Sequence, residues 1–313
     1  MRLMVAIPCL NEADMIVGVI TGVPRRIEGV DEIVTVVIDD GSTDATAELA
    51  RANGAVVISH RFNRGVGAAF QTAIAYAVAN RFDAMVNIDG DGQFDPADIP
   101  KLLKPLTTGA ADMVTASRFI DPSLTPTMPG IKLWGNRRMS KLVSRLCGIE
   151  FHDVSCGFRA YSREALLNLN LHGTYTYTQE TFLDLSFKQL GIQEVPIKVT
   201  YFPGRQSRVV RSIRSYAMQT ATILVRVYRD HFPLRFFLSI SGVVALVALA
   251  LTIFFFGHYL LTGAFSPYIF VGFVAGFLLI VALVFAIIAI VADMLDRVRV
   301  TQERILYLLK KRE

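Results

Sequence analysis

Five short apolar, β-branched runs punctuate the first 120 residues, at 3–7, 33–38, 56–59, 85–88 and 113–116. They are nearly continuous rather than alternating, the pattern of strands buried on both faces. Segments of helical composition lie between them, at 44–53 and 67–79 among others. Apolar strands alternating with helices predict a doubly wound, mostly parallel α/β sheet. In such sheets ligands bind beyond the carboxyl ends of the strands. The polar clusters fall at those ends: Asn11-Glu12 after the first run, Asp39-Asp40 after the second, Asp89 after the fourth and Ser117-Arg118 after the fifth. Beyond Arg118 the pattern loosens through a Pro-rich loop at 121–130, a basic helix at 133–146 and a polar segment at 153–159. A helix near 180–190 and a strand near 194–201 follow.

The second half changes character. Residues 236–292 contain no Lys, Arg, Asp or Glu, enough for two crossings of a bilayer at about 20 apolar residues each. Spans are predicted at 236–256 and 268–292, joined by a loop without Lys or Arg, and Arg297, Arg299, Arg304, Lys310, Lys311 and Arg312 follow. Both basic flanks then lie in the cytoplasm and the short loop outside. Just before the first span, residues 205–235 hold seven arginines and one acid, Asp230, interleaved with Ile213, Tyr216, Ile223, Leu224, Val227 and Tyr228. That mixture predicts an amphipathic helix lying in the interface against anionic head groups. The expected organisation is a catalytic domain at 1–205, an interfacial helix at 206–235, a hairpin at 236–292 and a basic amphipathic tail at 293–313. Two spans make a thin anchor, which favours a homo-oligomer.

Composition narrows the setting. Cys9, Cys147 and Cys156 are odd in number and form no CxxC, as in a reducing compartment. The apolar run at the N-terminus is too short for a signal peptide, so the first domain is expected in the cytoplasm. The net charge of +5 gathers beside the spans, unlike a nucleic-acid footprint.

The chemistry centres on Asn87-Ile88-Asp89-Gly90-Asp91-Gly92-Gln93. An Asp-x-Asp at a strand end can hold a hard cation, Mg²⁺ or Mn²⁺, whose shell is completed by diphosphate oxygens and water. At the same edge lie Pro8-Cys9-Leu10-Asn11-Glu12 and Asp39-Asp40-Gly41-Ser42-Thr43-Asp44. In the latter, Ser42 or Thr43 can cap a helix, and the aspartates offer acceptors to a base or ribose. Arg61-Phe62-Asn63-Arg64-Gly65-Val66-Gly67 adds a glycine-rich turn before a helix, suited to close approach of a nucleotide.

Together these four ordered motifs resemble the family 2 glycosyltransferases of GT-A fold over about the first 205 residues. Ala116-Ser117-Arg118, Asn136-Arg137-Arg138, Asp153, Cys156-Gly157-Phe158-Arg159-Ala160-Tyr161 and the two trailing spans are most similar to the dolichyl-phosphate mannose synthase and polyprenyl-phosphate glycosyltransferase branch. The resemblance implies metal-dependent, inverting transfer of a hexose from a UDP- or GDP-linked donor to a polyprenyl phosphate. It implies nucleotide contacts from Pro8, Asn11, Glu12, Asp39, Asp40, Asp89, Gln93 and Arg205, and metal contacts from Asp89, Asp91 and Gln93. Ser117, Arg118 and Arg137 or Arg138 then face the lipid phosphate, and Asp91, Arg118 and Asp153 form the catalytic set. Asp153 is the candidate for orienting the acceptor or relieving it of a proton. Two anions must meet in such a reaction, and arginines with a metal offset their repulsion.

Other readings fit less well. A processive polysaccharide synthase of the same superfamily carries Gln-x-x-Arg-Trp, whereas the only tryptophan here is Trp134, in Leu133-Trp134-Gly135. A dinucleotide dehydrogenase needs Gly-x-Gly-x-x-Gly where this chain has Cys9-Leu10-Asn11. A non-catalytic membrane adaptor would have no need of an intact Asp89/Asp91 pair and arginine set.

Overall fold

The computed structural model describes residues 1–128, 130–171, 177–201, 221–222 and 225–312. The chain divides into two compact units, Met1–Leu224 with Leu306–Glu313, and Val225–Ile305.

The first unit is built on a seven-stranded sheet. In chain order its strands are β1 (Arg2–Cys9), β2 (Glu32–Asp39), β3 (Val56–Ser59), β4 (Ala84–Asn87), β5 (Met113–Ser117), β6 (Arg159–Ser162) and β7 (Ile192–Pro196). Their spatial order is β3-β2-β1-β4-β6-β5-β7. All pairings are parallel except those of β6, which runs antiparallel between β4 and β5. This is the mostly parallel α/β sheet expected. The reversed strand was not expected, because Arg-Ala-Tyr-Ser is short and carries no apolar run. The last strand also ends earlier than its predicted 194–201, at Pro196.

Helices α1 (Ala13–Gly22), α2 (Thr46–Ala52), α3 (Val66–Ala79), α4 (Ile99–Thr107), α5 (Gly130–Cys147), α6 (Arg163–Asn168) and α7 (Thr178–Phe187) complete this unit among the described residues. Successive strand residues point to opposite faces. Leu3, Val5 and Ile7 join one core cluster with Ile16 and Ile20 of α1 and Leu102 and Leu103 of α4. Met4 faces the other way, in register with Met85, which pairs in turn with Tyr161. Phe70 of α3 packs on Tyr161 at a centroid distance of 5.4 Å, so α3 covers that second face. Burial on both faces explains why the strands read as continuous apolar runs.

Register then fixes the site. Cys9 lies beside Asp39, Asp39 beside Ser59, Asn87 beside Arg159, and Ser117 beside Pro196. The ends of β1, β2, β4 and β5 and the start of β6 therefore share one edge of the sheet.

The second unit holds α8 (Pro233–Thr262) and most of α9 (Ile269–Arg312), which are both long and apolar enough to cross a membrane. At about 1.5 Å per residue, α9 is roughly twice as long as a hydrocarbon core of about 30 Å, so the second span and the basic tail form one continuous helix. Ala275, Ala282 and Ala289 are buried at seven-residue steps, and Ser241 Oγ donates to Ala282 O at 2.7 Å. Small residues and an interhelical hydrogen bond are the usual means of joining helices within lipid. The interfacial helix expected at 206–235 and the phosphate contact expected from Arg205 lie mostly outside the described residues.

Candidate active site

The first two motifs are knitted into one platform. Asn11 adopts a left-handed φ of 54°, its Oδ1 accepts from Thr43 N at 2.8 Å, and its own N–H donates to Ser42 Oγ at 2.9 Å. Glu12 N donates to Thr46 Oγ1, Ala13 N to Asp44 Oδ2, and Ser42 N to Asp39 Oδ1. Gly41, at φ +80°, brings its backbone so near the next loop that a Cβ would lie 2.7 Å from Phe62 C. Asp40 holds that loop. It is buried and accepts from Arg64 N at 2.9 Å and Gly65 N at 2.8 Å, with His60 Nδ1 at 2.7 Å. The sequence reading made Asp40 a direct nucleotide contact. Both of its oxygens are instead engaged in shaping the 60–65 turn, a role legible only once the strands are in register.

The Asp-x-Asp turn lies over the end of β1. Gly90 N donates to Pro8 O, and a Cβ on Gly90 would stand 3.0 Å from Cys9 Cβ. Asp91 Oδ1 accepts from Gln93 N at 3.0 Å, and Gln93 O accepts from Thr200 N at 2.9 Å. Asp89 packs directly on the backbone of Gly157, where a Cβ would meet its Oδ2 at 2.6 Å. Burial, and then the neighbouring charge of Asp91, push the Asp89 carboxyl up to about 7 against the pull of Arg159 and Arg118. A carboxylate raised by burial and a like charge is one whose ionised form is short of a counter-cation. The pair therefore fits a divalent ion. Among the described residues no group of three or more His, Cys, Asp and Glu can hold a metal alone, so donor phosphates and water would have to complete the shell.

Behind this turn is a layer whose residues, Asn87, Gly157 and Arg159 among them, stood in the sequence motifs without an assigned role. Asn87 Nδ2 donates to Gly157 O at 3.0 Å and to Tyr177 Oη at 2.8 Å, and Tyr177 stacks on Phe70 at 3.9 Å. Arg159 is wholly buried, donates to Thr178 O at 2.8 Å and to Val154 O at 3.2 Å, and lies over the Phe182 ring at 4.7 Å. It lies in register with Asn87, and its charge acts on the Asp89 carboxyl.

Arg118 is locked into an ion pair. Its Nε donates to Asp153 Oδ2 at 2.6 Å and its Nη2 to Asp153 Oδ1 at 2.8 Å; Nη2 also donates to Ser155 Oγ, and Nη1 to Tyr201 Oη at 3.0 Å. Glu194 completes the frame by accepting from His152 N and Asp153 N, both at 2.8 Å. Two expectations are corrected here. Asp153 has no exposed surface and has the Arg118 guanidinium on both oxygens, an arrangement that orients Arg118 and does not present a free base to an acceptor. Ser117 is wholly buried, so its hydroxyl does not face a phosphate. Arg137 and Arg138 are exposed on α5, with Arg138 over the Trp134 ring at 5.3 Å. Glu194, Ser155 and Tyr201 had no sequence signal, because each gains its role only from a partner 37 or more residues away.

Residues 4–169 match the model of glycosyl transferase family 2. The chain is 31% identical over 215 residues to the UDP-N-acetylglucosamine–dolichyl-phosphate N-acetylglucosaminyltransferase of Methanococcus voltae, covering 62% of this chain and 84% of that one. It is 29% identical over 212 residues to the polyprenol monophosphomannose synthase of Mycolicibacterium smegmatis, covering 64% and 77%. Among solved structures, glucosyl-3-phosphoglycerate synthase of Mycobacterium tuberculosis with Mn²⁺ and UDP-glucose superposes with a TM-score of 0.53 at 25% identity, over 72% of this chain and 78% of that one. The narrower resemblance drawn from the motifs agrees with the names of the two relatives. On the family match and the sheet topology together, the chain belongs to glycosyl transferase family 2 and is a glycosyltransferase of GT-A fold.

Proposed function

We propose that this glycosyltransferase moves a hexose-type sugar from a UDP- or GDP-linked donor to a polyprenyl phosphate, with inversion and with Mg²⁺ or Mn²⁺. The observation that carries the reading is the Asp89–Asp91 pair, with Asp89 seated on Gly157, at the sheet edge that also carries Arg118. Two relatives named for dolichyl phosphate and polyprenol support the acceptor class.

In this reading the platform of Pro8, Asn11, Glu12 and Asp39 receives the nucleoside, with the 60–65 turn held over it by Asp40. Asp89 and Asp91, with Gln93, would hold the metal, whose chemistry is to neutralise the diphosphate and stabilise charge on the departing nucleotide. Asp153 fixes the guanidinium plane of Arg118, leaving its Nη1 side, beside Tyr201, to meet the acceptor phosphate. An acceptor phosphate oxygen attacks the anomeric carbon as the bond to the diphosphate oxygen breaks, and that electron pair leaves with the nucleotide. A phosphate monoester is already ionised near neutral pH, so no strong general base is required.

The charge-free stretches of α8 and α9, within residues 236–292, are assigned as a membrane hairpin with both basic flanks in the cytoplasm. The layout 1–205, 206–235, 236–292 and 293–313 remains the proposed organisation, with 206–235 at the interface. The test is the purified full chain in lipid vesicles with Mn²⁺, a polyprenyl phosphate and a panel of UDP- and GDP-hexoses. A lipid-linked hexose of inverted anomeric configuration is expected with one donor. Hydrolysis of donors without any lipid-linked product would overturn the acceptor assignment.

A further inference from the structure

From Leu306 on, helix α9 belongs to the first unit, which carries the site. In the sequence Lys310 reads as one more basic residue of the flank, but the fold gives it a set of partners. Its Nζ donates to Leu167 O at 3.4 Å, to Leu169 O at 3.1 Å and to Asn170 Oδ1 at 3.1 Å. An ammonium has three N–H donors, and here three oxygens receive them. Two are main-chain carbonyls at the end of α6, where a helix leaves its last carbonyls unpaired and its dipole favours a cation. One turn earlier, Tyr307 Oη donates to Glu164 Oε2 at 3.1 Å. The same turn is also held by α7. Lys188 Nζ donates to Asn168 O at 2.7 Å and pairs with Asp184 at 2.8 Å, and Asp184 Oδ2 accepts from Asn170 N at 3.3 Å. Helix α7 is buried from Gln179 to Leu185, with Gln179, Glu180, Thr181 and Asp184 among its buried residues. A helix that buries polar groups is seated by particular hydrogen bonds and not by apolar packing alone. On that helix Thr178 O and Thr181 Oγ1 receive Arg159, whose charge acts on Asp89.

We propose that Lys310 is a positioning residue of the transferase. The end of α9 is a strut that fixes the 167–170 turn, through it α7, and through α7 the seat of Arg159. A chain without the residues that follow the second apolar stretch would then lack part of the support of its own site. Attraction to a charged surface could be supplied by any lysine of the tail, whereas three oxygens around one ammonium require Lys310. Its neighbour Lys311 instead donates to Tyr307 Oη at 3.4 Å, within α9 itself. The effect on turnover rests on the reading of Asp89 and Asp91 given above; the effect on α6 and α7 does not.

The full chain in lipid vesicles is compared as wild type, Lys310→Met, Lys310→Arg and Lys311→Met. Methionine keeps an unbranched stem and removes the ammonium, and Lys311→Met removes the same charge from the next position. Amide exchange read by mass spectrometry and transfer kinetics are measured on each preparation. In Lys310→Met the amides of α6 and α7 should exchange about ten-fold faster or more, with those of β1–β3 unchanged. Turnover should fall about ten-fold with each KM within about two-fold of wild type, because contacts to substrate remain and only the placement of the site is loosened. Lys310→Arg should recover most of both losses, and Lys311→Met should match the wild type. If Lys310→Met folds poorly, Tyr307→Phe, which removes the bond to Glu164, should give a milder change in the same direction, and wild-type values there would overturn the proposal. Wild-type exchange in Lys310→Met would overturn the strut. Faster exchange with undiminished turnover would overturn the positioning role and leave a local cap on α6. An equal loss in Lys311→Met would assign the effect to the charge of the tail and overturn the proposal too. Should the wild type hydrolyse donors without a lipid-linked product, the acceptor reading fails, and the same comparison is made on hydrolysis.

Discussion

The side chains of Arg118 and Asp153 meet through two hydrogen bonds, Nε to Oδ2 at 2.6 Å and Nη2 to Oδ1 at 2.8 Å, around a carboxylate with no exposed surface. Burial works against ionisation of Asp153, but the charge and hydrogen bonds of Arg118 outweigh it and hold the carboxyl below its ordinary value. A carboxyl depressed in the folded state contributes stability that is fully present above its unfolded pKa of about 4 and is lost as pH falls through the folded value. Asp153→Asn leaves the largely buried Arg118 without its counter-charge, at a cost of up to about 3–5 kcal/mol. Thermal unfolding followed from neutral to acid pH should show the wild type losing Tm below about pH 4, with a flatter curve for the variant there. Parallel curves would mean that the pair makes no contribution to acid stability.

The contact between Asp89 and Gly157 makes a second prediction. The backbone at Gly157 needs no left-handed φ, so alanine fails there only through its Cβ, 2.6 Å from Asp89 Oδ2. Gly157→Ala should move the carboxylate by a few tenths of an ångström or more and lower turnover about 100-fold, with the sheet intact. Circular dichroism and turnover measured on one preparation decide it. Full activity would show that Asp89 tolerates displacement and does not hold the metal.

These two contacts mark where sequence reading stops. The strands at 3–7, 33–38, 56–59, 85–88 and 113–116 were legible because burial on both faces forces continuous apolar runs. Each of these five observed strands agrees with its predicted range to within two residues at either end. The polar clusters were legible because a parallel sheet collects its strand ends on one edge. Strand β6 was not: Arg159 is a charged residue in a buried strand, made tolerable by oxygens of Thr178 and Val154 that no local pattern announces. Asp40 and Asp153 were recognised as site residues, but their partners lie 20 to 35 residues away. Read alone they looked like ligand contacts, whereas the fold makes them supports.

Asp40 supplies a third prediction. Asp40→Ala removes the side-chain acceptor of Arg64 N and one of the two acceptors of Gly65 N, and leaves Nδ1 of the buried His60 ring without its carboxylate. A buried group left without a partner, as at His60, costs about 1–3 kcal/mol. The loosened turn should weaken donor binding and leave the KM for the lipid acceptor unchanged. Titration calorimetry with the nucleotide diphosphate and acceptor kinetics at saturating donor separate the two effects. A rise confined to the acceptor KM would move the 60–65 turn out of the donor site.

The metal assignment is tested at Asp91. Activity should vanish in excess chelator and return with Mg²⁺ or Mn²⁺. Asp91→Asn should lower turnover by orders of magnitude with little change in Tm, because Asp91 is only partly buried. Undiminished turnover in chelator would remove Asp89 and Asp91 from any metal site.

The orientation of the hairpin can be read with the native thiols left in place. Cys156 is buried, and burial pushes its thiol up to about 12; the partly buried Cys147 thiol is raised, again by burial, to about 11. Cys9 is buried as well. Since the thiolate is the nucleophile, all three should react slowly with a maleimide at neutral pH. An introduced exposed cysteine then stands out against a low background. Ser266 lies in the loop between α8 and α9, and Gln302 is exposed on α9 among the basic residues that follow the second apolar stretch. If positive charge keeps both flanks inside, Ser266→Cys reacts with a membrane-impermeant maleimide in intact cells and Gln302→Cys reacts only after permeabilisation. Reaction of Gln302→Cys alone in intact cells would invert the topology and put the donor site on the side opposite the cytoplasmic nucleotide-sugars. Reaction of both in intact cells would mean that α9 does not cross the bilayer, and the hairpin assignment would fall.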